Sequence, residues 1–400
     1  MRNTFLSILV ASLFAAPVSR AGVAQKDGCP AIGVPAAEIP FTLIGDHIYT
    51  DAGVNGTGPK RFIIDTGGVN LIDVSLAKQL SLETTGKEAG HGTGPGTVET
   101  GKTTVDQLTI GDITFRRQPF YIFDFRQLYA GGGIEMVGMV GGALFRGYVT
   151  CIDFSHDVVD LIDAAKFDGN DAGSGLVMSI KKSEITVHGS FDGIPGVFQI
   201  DTGSPTTLTL AAPFVAQYQL LKRFPRHVET TSGGVGGSMR EYTVRGTDLA
   251  LGAEHIRNPI TALAQVSKGK FASSALSGNI GIGALKRYIV TFDFPGKRLF
   301  LKRYNPAPSD LDTYDRSGMR IETGPAGFRI ASVSEGTPAA EAGLHPGDVI
   351  ADVDGRPANS ITLPSLRDDL REAPPGSVIT LGIKADGRRR NVRIILRDLL

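Results

Sequence analysis

The stretch RFIIDTGG at residues 61–68 recurs as VFQIDTGS at residues 197–204, 136 positions further along the chain. In both copies an apolar, strand-like run ends in Asp-Thr-Gly. One such copy is typical of an ordinary turn, in which Asp binds local N–H groups and Gly adopts a positive φ. Two copies indicate more than two ordinary turns if the sequence around them is duplicated as well.

The surrounding sequence does repeat, in the same order and with nearly constant spacing. The repeated features are apolar strand–helix segments (71–82 and 208–221), glycine clusters (90–96 and 233–237), alternating strand patterns (105–123 and 242–262), the segments GMVG and GNIG (138–141 and 278–281), and the tails YVTCIDF and YIVTFDF (148–154 and 288–294). We therefore predict two homologous β-rich lobes, 40–165 and 176–303, joined by a Gly/Asp-rich connection at 168–175.

Composition agrees with a mainly β fold and excludes some functions. The 51 glycines occur without a collagen repeat, which favours many tight turns, and 400 residues suit two or three domains. Lys plus Arg equals Asp plus Glu at 41 each. This balance gives no reason to expect nucleic acid or an anionic membrane as a partner.

The duplicated loops suggest a specific chemistry. Duplicated lobes pack about a pseudo-two-fold axis, so the loops that contain Asp65 and Asp201 can meet on that axis. Two adjacent carboxylates cannot both ionise cheaply; they share one proton, and their pKa values separate. One carboxyl can then act as a base on a water while the other acts as an acid on a carbonyl oxygen. This chemistry needs no metal and no cofactor.

These motifs resemble the retropepsin-like branch of the pepsin/retropepsin aspartic protease family, over roughly residues 40–303. The resemblance implies bilobal acid-protease β-barrels and an aspartic endopeptidase that acts on extended protein or peptide substrates. It implies catalytic roles for Asp65 and Asp201, loop support by Thr66, Gly67, Thr202, Gly203 and Ser204, and substrate-covering flaps that include Gly92, Gly94, Gly234 and Gly236. Because both lobes lie in one chain, a homodimer is not required.

One position departs from the family pattern. Ser204 follows the second Asp-Thr-Gly, as in the family, but Gly68 follows the first. A glycine there removes a possible hydrogen bond to the outer oxygen of Asp65. The alternative hypothesis is accordingly a catalytically weak or inactive peptide-binding adaptor.

The C-terminal part of the chain has a different pattern. Residues 310–400 resemble a PDZ domain, a small α+β module of the kind appended to bacterial envelope proteases, and the stretch GTPAAEAGLHPGDVI at 336–350 carries the resemblance. Such domains add a peptide as a β-strand to a sheet edge and hold its terminal carboxylate with loop N–H groups. We expect C-terminal peptide tails as ligands, for substrate recruitment or regulation, with the groove formed by Gly327, Phe328, Arg329 and Ile330.

The N-terminus predicts export. Residues 1–24 contain Arg2, a short apolar run and small residues at a cleavage site, which is typical of a signal peptide. We expect a periplasmic or secreted protein with no stable membrane anchor after cleavage. The two cysteines, Cys29 and Cys151, could pair in an oxidising compartment, or Cys151 could be buried alone; spacing does not decide between these.

Other catalytic motifs do not fit. GTVETGKT at 96–103 matches a phosphate-binding loop formally, but a glycine-rich segment precedes it and a strand-like pattern follows it. The sequence contains neither an H-E-x-x-H zinc motif nor a G-x-S-x-G nucleophile elbow.

Overall fold

The computed structural model describes residues 28–31, 34–308, 313–385 and 387–400. These residues form two β-rich lobes and a smaller C-terminal domain, which confirms the prediction of a mainly β fold. The predicted signal peptide, residues 1–24, lies outside the described residues. Among the helices that the structure does describe, none has the length and hydropathy needed to span a bilayer.

The first lobe is built on the strand that leads into Asp65. Its strands are β1 (Ala37–Pro40), β2 (Thr42–Ile44), β3 (His47–Val54), β4 (Lys60–Asp65), β5 (Leu71–Asp73), β6 (Gly86–His91), β7 (Thr97–Ile110), β8 (Ile113–Phe123), β9 (Gly138–Gly141), β10 (Val149–Asp153) and β11 (Val158–Ile162), and its helices are α1 (Val74–Gln79) and α2 (Arg126–Gly132). Residues 62–64 in β4 are all buried because this strand lies inside the sheet.

The second lobe repeats this arrangement. Its strands are β12 (Ser174–Lys181), β13 (Glu184–Phe191), β14 (Ile194–Ile200), β15 (Leu208–Leu210), β16 (Val228–Gly234), β17 (Gly237–Arg245), β18 (Asp248–Leu251), β19 (Glu254–Arg257), β20 (Ile260–Ala264), β21 (Gly278–Ile280), β22 (Tyr288–Asp293) and β23 (Arg298–Arg303), and its helices are α3 (Ala212–Gln217), α4 (Leu220–Arg223) and α5 (Ile282–Leu285). The spatial order β14-β21-β15-β20-β17-β16 matches β4-β9-β5-β8-β7-β6 strand for strand.

The duplicated tails join the lobes. Strands β10 and β22 pair antiparallel, with Cys151 opposite Thr291, in a path that runs β1-β11-β10-β22-β23-β12. The buried apolar residues of the two lobes form one continuous core. A disulfide connects Cys29 to Cys151, so of the two possibilities left open by the sequence the structure has the bonded one. It ties the N-terminal segment to β10, at the centre of the molecule.

The C-terminal domain has its own core around Ile330, Ile350, Leu366 and Leu381. Its strands are β24 (Met319–Gly324), β25 (Gly327–Val333), β26 (Val349–Val353), β27 (Arg356–Pro357), β28 (Val378–Ala385) and β29 (Arg388–Ile395), and its helices are α6 (Pro338–Glu341) and α7 (Leu363–Glu372). The longer helix, α7, begins at Thr362, whose side chain accepts a hydrogen bond from the Ser365 N–H and so satisfies one of the free donors at the helix start.

This topology corrects one expectation. Gly327, Phe328, Arg329 and Ile330 lie in β25, which pairs with β24 on one side and β26 on the other. A strand with both edges paired cannot accept a peptide strand. The edge next to β25 is β24, so the prediction of a groove edge at 327–330 is wrong, and the candidate edge is Met319–Gly324.

Candidate active site

The two Asp-Thr-Gly loops are locked together by their threonines. The Thr66 N–H donates to Thr202 Oγ1 at 2.9 Å, and the Thr202 N–H donates to Thr66 Oγ1 at 3.1 Å. Each hydroxyl then donates across the interface, Thr202 to the Ile64 carbonyl at 2.9 Å and Thr66 to the Ile200 carbonyl at 3.4 Å. Both side chains are buried, so water cannot replace these bonds.

This interlock brings Asp65 and Asp201 side by side, close enough for their carboxyl groups to interact directly. The Gly67 N–H donates to Asp65 Oδ1 at 2.8 Å, and the Gly203 N–H donates to Asp201 Oδ1 at 3.0 Å. A Cβ at position 67 would lie 2.6 Å from the Asp201 carboxyl carbon, and one at position 203 would lie 2.3 Å from that of Asp65. The close approach of the loops therefore requires glycine at both positions.

The two carboxyl groups have opposite pKa shifts. Burial, followed by the charge and hydrogen bond of Asp201, raises the pKa of Asp65 well above its usual range. Burial also acts to raise the pKa of Asp201, but the Lys270 ammonium and hydrogen bonds from Asp65, Lys270 and Gly203 outweigh it and lower the pKa. Opposite shifts of this kind favour the neutral form of Asp65 and the charged form of Asp201.

Lys270 is a site residue that the sequence did not reveal. Its Nζ lies 3.2 Å from Asp201 Oδ2, and only 18% of its side chain is exposed. No sequence motif marks Lys270, because it lies 69 positions after Asp201 and approaches the carboxylate only in the folded chain.

Ser204, which the resemblance placed among the supporting residues, shares a hydrogen bond of 3.0 Å with Thr206 Oγ1.

Gly68 also has a structural reason. A Cβ at this position would lie 2.5 Å from Asp65 Oδ2 and 3.2 Å from the Met139 sulfur. The Asp65 carboxyl in this position therefore leaves no room for a side chain at residue 68. A residue with a side chain at position 68 would therefore displace the Asp65 carboxyl from its present position.

The predicted flaps are two hairpins, β6–β7 and β16–β17, whose tips touch. The Gly94 N–H donates to the Val235 carbonyl at 2.9 Å, and the Gly96 N–H donates to the Gly236 carbonyl at 2.8 Å. The backbones approach so closely that a Cβ on Gly94 would lie 2.4 Å from the Gly236 carbonyl carbon. Among the other predicted flap residues, a Cβ on Gly92 would lie 2.3 Å from the Val235 carbonyl oxygen, and one on Gly234 would lie 2.0 Å from Thr93 Oγ1.

The aspartate pair and the flaps line one cavity of about 1980 Å³. The first lobe contributes an apolar wall to it, from Tyr49, Ile63, Leu71, Phe123 and Met139. The volume is large enough for an extended peptide segment, and the wall offers a surface for apolar side chains.

The edge strand of the C-terminal domain faces this cavity and is already in contact with the two lobes. Helix α2 of the first lobe packs against β24. The Thr323 hydroxyl donates to the Ala130 carbonyl at 3.0 Å, and Arg367 of α7 donates to the Gly131 carbonyl at 2.7 Å. The carbonyl groups at the end of α2 are thus satisfied by the strand and the helix that border the groove.

A flap strand contacts the same domain. The Ser334 hydroxyl donates to the Glu229 carbonyl at 2.6 Å, and Arg320 of β24 donates to Thr231 Oγ1 at 3.5 Å. Glu229 and Thr231 belong to β16, the first strand of the second flap. The C-terminal domain is therefore hydrogen-bonded both to a flap and to the first lobe.

The loop before β24 is where N–H groups could hold a terminal carboxylate. Here an internal carboxylate already uses them, because Asp315 Oδ1 accepts from the N–H groups of Ser317 at 3.0 Å and Gly318 at 2.7 Å. The Met319 N–H donates to Ser317 Oγ at 3.2 Å. Burial raises the pKa of Asp315, although these donors act in the opposite direction.

Within the described ranges, no group of three or more His, Cys, Asp or Glu side chains converges where it could hold a metal ion. The chemistry that the described residues can perform at this site is proton transfer between two carboxyl groups and a bound water.

The fold, the interlocked Asp-Thr-Gly loops and the separate C-terminal domain define the class: a protease-type bilobal unit joined to a PDZ-type module. Comparison with known families agrees. An aspartyl protease family model matches residues 50–143, which include Asp65, and a PDZ domain model matches residues 309–396. The predicted combination of an aspartyl protease domain and a PDZ domain is thereby confirmed.

Two kinds of curated protein share short similarity with the chain. It is 32% identical over 90 residues to the periplasmic serine endoprotease DegP of Escherichia coli, which is 22% of this chain and 18% of that protein. It is 41% identical over 70 residues to the magnetosome formation protease MamE of Paramagnetospirillum magneticum, which is 17% of this chain and 9% of that protein. The chain thus spans less than a fifth of either relative.

We predict that Thr202→Val lowers the free energy of unfolding by about 2 kcal/mol or more, because it leaves the buried Thr66 N–H and Ile64 carbonyl without a partner. Urea unfolding measures the loss. Thr202→Ser keeps the hydroxyl and is the matched control, expected to cost about 1 kcal/mol for the missing methyl group. Equal losses in the two variants would show that the hydrogen bonds contribute little.

Proposed function

We propose that this protein is an aspartic endopeptidase. The observation that carries the proposal is the juxtaposition of Asp65 and Asp201 at the base of a cleft, with two glycine-rich flaps above it. The aspartyl protease match around Asp65 supports it. The similarity to a serine endoprotease covers 22% of this chain and 18% of that protein, and the proposal does not rest on it.

The opposite pKa shifts of the pair assign the roles. Asp201, which carries the charge, takes a proton from a water as the water oxygen attacks the peptide carbonyl carbon. Asp65, which holds the proton, donates it to the carbonyl oxygen, and a tetrahedral diol forms. The carbon–nitrogen bond then breaks: Asp201 gives the proton it took from water to the amine nitrogen, and Asp65 takes a proton from one hydroxyl of the diol, which leaves as the carboxylic acid. The pair ends with its original single proton.

The preferred substrate is an extended polypeptide segment with apolar side chains beside the cut. An extended segment fits because the cleft runs between two lobes and beneath two hairpins. The apolar preference is supported by the wall of Tyr49, Ile63, Leu71, Phe123 and Met139 in the first lobe. Burial of these surfaces against substrate side chains would contribute to binding at about 25 cal/mol per Å².

Asp65→Asn and Asp201→Asn are each expected to reduce the cleavage of a denatured protein mixture by about 100-fold or more, because an amide can neither give up nor share the proton of the pair. Pepstatin is expected to inhibit the unmodified protein. Circular dichroism and urea unfolding provide the check that both variants are folded. Turnover at the normal rate by either variant would overturn the mechanism, and a folded protein with no cleavage at any pH would favour the adaptor hypothesis.

We further propose that the PDZ domain controls access to the cleft. In this structure the end of α2 lies against β24 and α7, where a peptide strand would add, and Asp315 uses N–H groups that could hold a terminal carboxylate. A peptide that binds at β24 would have to displace α2, which belongs to the first lobe. Such a ligand would also disturb the contacts of β24 with the flap strand β16. These contacts therefore support a role of the PDZ domain in regulating access to the cleft better than a role in recruiting the C-terminal tail of a substrate, because the edge of β24 is not free.

The double variant Thr323→Val/Arg367→Met removes the donors to the α2 carbonyl groups and is expected to raise kcat/KM for a short quenched peptide by about 5-fold or more, because the domain restrains the cleft less. Arg356→Ala is the matched control: it removes an exposed arginine of the same domain that pairs with Asp369. A fall in activity of the double variant, with folding intact, would mean that these contacts support the site.

We also propose export to an oxidising compartment, with the periplasm favoured over the medium. The Cys29–Cys151 disulfide, the signal-like sequence at 1–24 and the periplasmic location of DegP support this. Expression of the full chain in a Gram-negative bacterium is expected to yield periplasmic protein that lacks the signal segment and contains the disulfide, as read by mass spectrometry without reduction. Reduced, uncleaved protein in the cytoplasm alone would contradict this.

A further inference from the structure

The surroundings of the two aspartates differ more than the duplicated sequence suggests. Lys270 lies in the loop between β20 and β21, and its Nζ contacts both Asp201 Oδ2 at 3.2 Å and Asn279 Oδ1 at 3.3 Å. Its backbone N–H also lies 3.4 Å from the Gly92 carbonyl of the first flap. The ammonium thus has two oxygen partners and is largely removed from solvent, and the backbone of the same residue is tied to the first flap.

The strands behind the aspartates show the same asymmetry. Met139 in β9 and Asn279 in β21 occupy equivalent places in the repeat, next to the strands that carry Asp65 and Asp201. Two neighbouring positions of the repeat also have an apolar residue in the first lobe and a polar residue in the second. With Met139 and Asn279 they make three such pairs, the other two being Ile63 and Gln199, and Leu71 and Thr209.

An apolar environment favours the neutral form of a carboxyl group, and a polar environment with a cation favours the charged form. The two halves of the site therefore differ in what they stabilise. The apolar residues belong to the strands that flank Asp65, and their polar equivalents belong to the strands that flank Asp201, where the ammonium also lies.

We propose that Lys270 is the positioning residue that assigns the roles within the aspartate pair: its ammonium keeps the charge on Asp201 and thereby leaves the shared proton on Asp65. This inference rests on the proposed aspartic endopeptidase function. Lys270 acts through Asp201 and does not itself exchange a proton with substrate. The structural asymmetry thus gives two sequence-equivalent aspartates different tasks.

The assignment has a consequence for pH dependence. The active form of the pair carries one proton, so activity rises with the first dissociation and falls with the second. A nearby cation stabilises the charged forms and lowers the pKa of both steps. Besides Asp65 and Lys270, His47 of β3 interacts electrostatically with Asp201; His47 is half-buried, and its loss of solvent lowers its pKa. Removal of the Lys270 charge is therefore expected to move both limbs of the profile to higher pH.

The test compares pH profiles of kcat/KM for a quenched peptide. Lys270→Met and Lys270→Gln are expected to raise the pH of the acidic limb by about one unit or more. Lys270→Arg, which keeps the charge, is expected to restore the limb toward its original position. Lys268→Met, an exposed lysine two positions away, is the matched control and should leave the profile unchanged. Where hydrolysis is too slow, the pH dependence of pepstatin affinity reports the same dissociation steps.

The outcomes separate the inference from the proposed function. Urea unfolding first checks that each variant is folded. If Asp65→Asn and Asp201→Asn abolish hydrolysis while Lys270→Met and Lys270→Gln keep the original acidic limb, the role of Lys270 is overturned and the endopeptidase stands. A displaced limb that Lys270→Arg fails to restore also overturns it. If hydrolysis survives the aspartate substitutions, the endopeptidase proposal itself fails.

Discussion

The reciprocal hydrogen bonds between Thr66 and Thr202 are the contact on which the rest of the site depends. Each threonine hydroxyl accepts a hydrogen bond from the backbone of the opposite loop and donates one to a carbonyl of the strand that leads into that loop. Four hydrogen bonds therefore cross a buried interface. Buried polar groups without partners are costly, which means that the loops have one stable relative position. The carboxyl groups one residue earlier in the chain are then held side by side, and the proton that we propose they share would be a result of that geometry.

The parts of the fold that come from duplication could be predicted from the sequence. Asp-Thr-Gly at 65–67 and 201–203, the glycine clusters and the paired tails repeat in order, and a repeat constrains topology strongly because equivalent segments form equivalent strands. For the same reason the approach of Asp65 to Asp201 was foreseeable. It depends only on the axis that relates the lobes.

The sequence did not predict the features that have no counterpart in the duplicated pattern. Lys270 has no motif, and its reach to Asp201 depends on the path of one loop. The edge of the PDZ sheet was placed one strand too late, at Gly327–Ile330, because strand order in a small sheet depends on pairing between distant segments. The packing of α2 on β24 could not be predicted either, because it joins two domains for which the sequence shows no common motif.

Strands β10 and β22 join the two lobes into one continuous sheet below the cleft. Since each belongs to a different lobe and they share a ladder of backbone hydrogen bonds, the lobes cannot swing apart like the halves of a hinge without loss of that ladder. An opening between the hairpin tips would instead break two backbone hydrogen bonds, from Gly94 to Val235 and from Gly96 to Gly236. Such an opening would leave both the β10–β22 ladder and the threonine contacts beneath the aspartates intact.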